Sequence, residues 1–103
     1  MASGRTPAAV SRSLHELGED LSTWRRLRRL TVLEVADRAG VSRSTVLRLE
    51  AGDGSTLENL LRVARALGVL ELITKALDPH ATDVGRLRAD ENLPVRVRHQ
   101  KPS

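Results

Sequence analysis

The apolar positions of this chain fall into helical runs separated by short polar breaks. From Leu14 onward, Leu17, Leu21, Trp24, Leu27 or Arg28, and Leu30 recur at three- and four-residue intervals, the spacing of one helix face. The helix they predict closes with the run RRLRRL. Ahead of it, residues 1–13 are small, polar and proline-containing, and are expected to be loose. Thr31-Val32-Leu33-Glu34 reads as a capping box, with Thr31 as the cap and Glu34 reaching back to it. The short helix it opens buries Val35, Ala36 and Ala39 and ends at Gly40, the residue that best tolerates a left-handed backbone. Val41 plugs the turn, and Ser42 caps a further helix that ends at Gly52. Ser55-Thr56-Leu57-Glu58 predicts a second capping box, opening a helix with Leu57, Leu60, Leu61, Ala64 and Leu67 on one face and Gly68 at its end. A fifth helix, Val69 to Leu77, is apolar nearly all round and is stopped by Asp78-Pro79.

Past Pro79 the pattern changes. ATDVGRLRADENLP is charged and shows no helical stripe, while PVRVR alternates Val95 and Val97 with Arg96 and Arg98, the period of a strand. A strand so short is stable only when paired. The expected organisation is a loose N-terminus over 1–13, an all-α domain of five helices over 14–78, and a short C-terminal tail over 79–103, extended in part. That tail would add a strand to a partner or to another subunit, or act as a basic arm.

Composition narrows the class. The 103 residues are 40 % hydrophobic, with one Trp and no Phe or Tyr, which favours helices packed through aliphatic stripes over a β-sandwich. The absence of Cys rules out disulfides and Cys-ligated metal and is compatible with a reducing cytoplasm. No apolar run is long enough to span a bilayer, and the N-terminus lacks the apolar centre of a signal peptide, so a cytoplasmic protein without membrane contact is expected. His15, His80 and His99 lie far apart without ligand spacing, so no metal site is predicted. No nucleophile has a base at motif spacing and no glycine-rich phosphate loop follows a strand, so neither enzymatic activity nor a cofactor is expected.

The net charge of +4 is modest, and its placement matters more than its size. Wound as a helix, Ser42 to Ala51 turns Val46 and Leu49 inward. Ser44, Leu47, Arg48 and Ala51 lie on the opposite side, flanked by Arg43. Small residues at Ala36 and Gly40 let the preceding helix cross closely. A thin, capped, basic helix held this way is how a helix-turn-helix offers a recognition helix to the major groove. The arginine run Arg25, Arg26, Arg28 and Arg29 is either a solvated helix face or a flank of that interface.

The string LT..EVA.RAGVS.STV.RLE.G resembles the Xre family, the helix-turn-helix class of the Cro and lambda repressors, over about Leu21 to Leu77. The resemblance implies a five-helix lambda-repressor-like fold that binds double-stranded DNA as a homodimer on a palindromic operator. It places Arg43 and Ser44 at the base-reading positions, with Arg48 one turn further on. Ser42, chiefly a cap, belongs to the same surface, and Thr31 and Thr45 face phosphate oxygens. It also implies that Arg25 of the first helix pairs with Glu50. The family often has Gln after the second helix's cap. Val32 stands there instead, which shifts base reading toward Arg43. Leu47 is an aliphatic on the DNA face, where a thymine methyl is the natural contact.

A narrower resemblance lies in RALGVLELITKALDP, TDVGRLRAD and LPVRVR, which are similar to small regulators encoded beside HipA-type kinase toxins. It implies a HipB-like antitoxin that represses its own operon and holds a HipA-like kinase toxin. The chain as given has no room for a ligand-sensing domain, which also points to a protein partner as the signal. The competing readings are a stand-alone Xre-type regulator or phage-type repressor, and a protein-interaction adaptor that binds no DNA. The surplus of apolar positions on the fifth helix suggests a dimer interface there.

Overall fold

The structure, a computed structural model, describes residues 5–81 and 83–92. Six α-helices run through them: α1 (Ala8–Leu27), α2 (Val32–Ala39), α3 (Arg43–Ala51), α4 (Leu57–Leu67), α5 (Leu70–Ala76) and α6 (Asp83–Asn92). A 3₁₀ turn at Pro79–Ala81 precedes α6, and no strand occurs among the described residues. The chain divides into two units, Met1–Leu70 and Glu71–Ser103.

In the first unit α1 begins at Ala8, so residues 8–13 are helical rather than loose. The carbonyl of Pro7 accepts the N–H groups of Val10 and Ser11, both at 3.0 Å, and Ala8 and Ala9 carry strong helix propensity. The inward line of α1 runs through Gly18 and Leu21 to Arg25. Leu17 and Leu27, expected on the buried face, are therefore exposed, while Leu14, Trp24 and Leu30 are half-buried. Gly18 is where α1 meets α3: a β-carbon there would lie 2.5 Å from the Leu49 carbonyl oxygen and 2.6 Å from that of Glu50. Only a residue without a side chain lets the two backbones approach this closely.

Helix α2 packs on α3 and α4, and α4 also meets α1 and α3. The core they share is aliphatic: Leu21, Val35, Ala36, Ala39, Val46, Leu49, Val63, Ala64, Leu67 and Val69. Arg28 ties α1 to the end of α4, its Nε donating to the Leu67 carbonyl at 2.9 Å while its guanidinium lies 5.2 Å from the Trp24 ring centroid.

The cap of α4 differs by one residue from the expected capping box. Thr56, not Ser55, is the N-cap, and its hydroxyl accepts the Asn59 N–H at 3.0 Å. Asn59 Nδ2 reaches back to Ser55 Oγ, which leaves Glu58 free to pair with Arg62 one turn on. The buried face of α4 also differs from the expected one: Val63 lies in the core and Leu57 is 70 % exposed.

In the second unit, α5 buries none of its residues. The segment expected to be an irregular tail contains α6. Periodicity gave no sign of this helix because its large apolar residues are only Val84 and Leu87, and both are exposed. Local bonds hold it: Arg86 pairs with Asp83 one turn before it and donates to the His80 carbonyl at 2.8 Å. Gly85 admits the Pro79 carbonyl into close contact. The strand expected over 94–98 lies outside the described residues.

Candidate nucleic-acid interface

The turn between α2 and α3 follows from its sequence. The Ala36 carbonyl accepts the N–H groups of Gly40 at 2.9 Å and Val41 at 3.1 Å, which requires a left-handed residue at Gly40 (φ 72°, ψ 33°). The chain then extends at Ser42 (φ −77°, ψ 158°), and Ser42 Oγ accepts the Thr45 N–H at 3.1 Å to start α3. Val46 is completely buried and Leu49 nearly so, which fixes the rotation of α3 about its axis. Its opposite face presents Arg43, Ser44, Leu47, Arg48 and Ala51 to solvent.

Arg43 and Arg48 make no hydrogen bond or ion pair among the described residues, so both guanidinium groups are free to bind outward. Leu47 lies between them, 51 % exposed. A free arginine matches the O6 and N7 acceptors of guanine in the major groove, and an exposed aliphatic matches a thymine methyl. The Ser42 and Thr45 hydroxyls are 3.0 Å apart and share one hydrogen bond. One hydroxyl hydrogen of the pair stays available to a phosphate oxygen.

Thr31 is more committed. Its Oγ1 accepts the Glu34 N–H at 3.1 Å, and its own N–H donates to Glu34 Oε1 at 2.8 Å, completing the capping box. Its hydroxyl hydrogen faces the Glu34 carboxylate, so an outside acceptor would have to share or replace that partner. The bond from the Thr31 backbone, then that with its side chain, holds the Glu34 carboxyl below the usual glutamate range. Glu34 thus keeps a negative charge at the start of α2, where it opposes an approaching phosphate.

Arg25 and Glu50 lie behind this surface and join α1 to the end of α3. The side-chain hydrogen bond to Glu50 holds the Arg25 guanidinium still more firmly protonated. Two residues outside the sequence reading also fix the geometry. Gly18 sets the distance between α1 and α3, and Arg62 Nη1 donates to the Ala39 carbonyl at 3.4 Å, bracing the end of α2. The four-residue spacing of Glu58 and Arg62 was a visible signal of an ordered Arg62, whereas a lone glycine inside a helical pattern gave no hint of a crossing point.

Among the described residues no group of His, Asp and Glu is placed to hold a metal ion, and no helix is long and apolar enough to cross a membrane. The helix-turn-helix family matches residues 21–72, which spans the end of α1, all of α2, α3 and α4, and the start of α5. No curated protein and no solved structure matches the chain significantly.

Proposed function

The chain belongs to the helix-turn-helix family, whose domain binds DNA and regulates transcription rather than catalysing a reaction, and from that footing we propose that this protein reads a palindromic operator as a homodimer. The observation that carries the reading is the outer face of α3, where unpaired Arg43 and Arg48 flank an exposed Leu47 on a helix fixed by its own caps. In this reading Arg43 and Ser44 contact base edges, Arg48 reaches bases or phosphates, and Thr31, Ser42 and Thr45 give hydroxyl bonds to the backbone. Phosphate contacts set position and orientation, and base contacts set sequence. Arg25 and Glu50 hold α3 in place without touching DNA.

The dimer reading is supported by Leu72 and Leu77, which are 58 % and 88 % exposed in and just after α5. Two recognition helices related by a twofold axis would enter successive major grooves about 34 Å apart. The finer biological reading is an autorepressing cytoplasmic antitoxin that holds a HipA-like kinase toxin. Its support is the second unit, where Val84 and Leu87 are also exposed and offer apolar contacts to a partner.

The experiment is selection of duplexes from a randomised pool, followed by tagged purification from native cells with mass spectrometry of the co-purifying proteins. A selected palindrome with half-sites one turn apart, together with a stoichiometric kinase-like partner, is the expected outcome. A non-palindromic site contradicts the dimeric reading, and a chain that returns without a partner contradicts the antitoxin reading.

A further inference from the structure

Four arginines close α1, and the fold employs them differently. Arg25 is committed to Glu50 and to the Leu30 carbonyl. Arg26 lies along its own helix, with Nε on the Ser22 carbonyl at 3.3 Å and Nη2 on Thr23 Oγ1 at 3.4 Å. Arg28 crosses to α4 and covers Trp24. Arg29 is exposed, and its side chain makes no hydrogen bond, ion pair or ring contact among the described residues.

Arg29 is also the one non-glycine residue with positive φ (59°) among the described residues. The turn demands that conformation: Arg29 N–H donates to the Arg26 carbonyl at 2.9 Å and Leu30 N–H to the Arg25 carbonyl at 3.0 Å, which closes the helix in the manner that favours glycine. At the ends of α2, α3 and α4 the left-handed position is held by Gly40, Gly52 and Gly68. A side chain in this region is disfavoured relative to glycine. At the end of α1 an arginine therefore occupies a strained position, and its side chain gains no hydrogen bond or ion pair among the described residues in return. A strained residue without a structural partner points to a role outside the fold.

We propose that Arg29 is a further DNA contact whose guanidinium binds a backbone phosphate at the α1–α2 turn. The proposal rests on the DNA-binding reading above. Two peptide units separate Arg29 from Thr31, so their Cα atoms lie within about 8 Å of each other. A phosphate taken by Thr31 is thus within reach of the arginine side chain. The same turn is anchored to α3, because Arg25 grips the Leu30 carbonyl with one nitrogen and Glu50 with two others. Arg29 supplies the positive charge that offsets Glu34, which otherwise repels a phosphate at this end of α2.

The test uses the full chain, a short fluorescein-labelled duplex of mixed sequence, and salt from about 50 to 200 mM. Arg29→Gly relieves the strain and removes the charge. Its Tm is expected to rise by roughly 2–6 °C. Its affinity at fixed salt falls about threefold to tenfold, and its log–log salt slope shrinks by about 1 for each bound subunit. Arg29→Lys, which keeps both charge and strain, retains the wild-type slope and Tm. Wild-type binding and slope in Arg29→Gly overturn the Arg29 assignment and leave the DNA reading intact. A slope reduced equally in Arg29→Lys also overturns it, because charge is then not the cause. A wild-type chain that binds no duplex at the lowest salt overturns the DNA reading and this proposal with it.

Discussion

Arg25 and Glu50, 25 residues apart in the sequence, form a two-pronged ion pair: Nε donates to Oε2 at 2.7 Å and Nη2 to Oε1 at 3.2 Å. Their side chains are only 17 % and 14 % exposed, and the third arginine nitrogen holds the Leu30 carbonyl. One residue therefore links the end of α1, the turn into α2 and the last turn of α3. Arg25→Ala strands a largely buried carboxylate and is expected to cost about 2–3 kcal/mol. That is less than the roughly 3–5 kcal/mol of a fully buried pair, because water still reaches this one. Joint replacement by Arg25→Met and Glu50→Leu should cost clearly less, since no charge is left unpaired. Urea unfolding of the two variants measures the difference. Equal losses would mean that the pair matters for its packing rather than its charge.

Gly18→Ala separates helix propensity from packing. Alanine favours an isolated helix by about 1 kcal/mol over glycine. Here the added carbon meets the Leu49 and Glu50 carbonyl oxygens, which belong to backbone and yield little. A net loss of about 1–3 kcal/mol is expected, read as a lower Tm. A stabilised variant would show that α1 and α3 separate readily.

The recognition unit was legible because each of its signals is local. Thr31 with Glu34, Gly40, Ser42 and Gly52 each act on backbone within a turn of themselves, so their spacing alone predicts α2, the turn and α3. The rotation of α3 was equally legible, since Val46 and Leu49 are apolar and Arg43, Ser44 and Arg48 are not. Long-range packing was less so. Which side of α1 faces inward depends on Gly18 meeting α3, and a leucine pattern cannot reveal that. The cap of α4 was ambiguous because Ser55 and Thr56 are both competent caps, and Asn59 rather than Glu58 decided it. Helix α6 was invisible to periodicity because Val84 and Leu87 are its only large apolar residues and form no stripe. Of the four arginines only Arg25 was assigned to the fold from the sequence, through the family resemblance; the run itself did not disclose that Arg26 and Arg28 are also engaged and the Arg29 side chain is not.

Acid should act partly through Glu34. Its folded carboxyl sits below the ordinary glutamate range because Thr31 bonds to its charged form, so it binds fewer protons when folded than when unfolded. Its contribution is present above the unfolded value and is lost as pH falls through the lowered folded value. Glu34→Gln should flatten the loss of stability in that acid window and change little near neutral pH beyond a constant offset. Thermal unfolding at a series of acid pH values checks this. An unchanged acid limb would assign it to other carboxylates.

Leu72 and Leu77 provide a test of self-association. If they form the dimer contact, Leu72→Lys and Leu77→Lys each place a charge in an apolar interface, and sedimentation should show a shift from dimer toward monomer. Helical content should hold. A wild-type chain that sediments as a monomer at every concentration contradicts the dimer reading, and lysine variants that remain dimeric move the interface elsewhere.

The outer face of α3 is the centre of the account, and the most direct measurement is fluorescence anisotropy with a duplex selected from a randomised pool, compared with a mixed-sequence duplex. Arg43→Ala and Arg48→Ala should each weaken binding to the selected duplex by roughly tenfold to 100-fold, equivalent to about 1–3 kcal/mol of lost discrimination, and weaken binding to the mixed duplex much less. Equal losses on both duplexes would show that these arginines serve only as phosphate contacts, and that α3 does not read sequence through them.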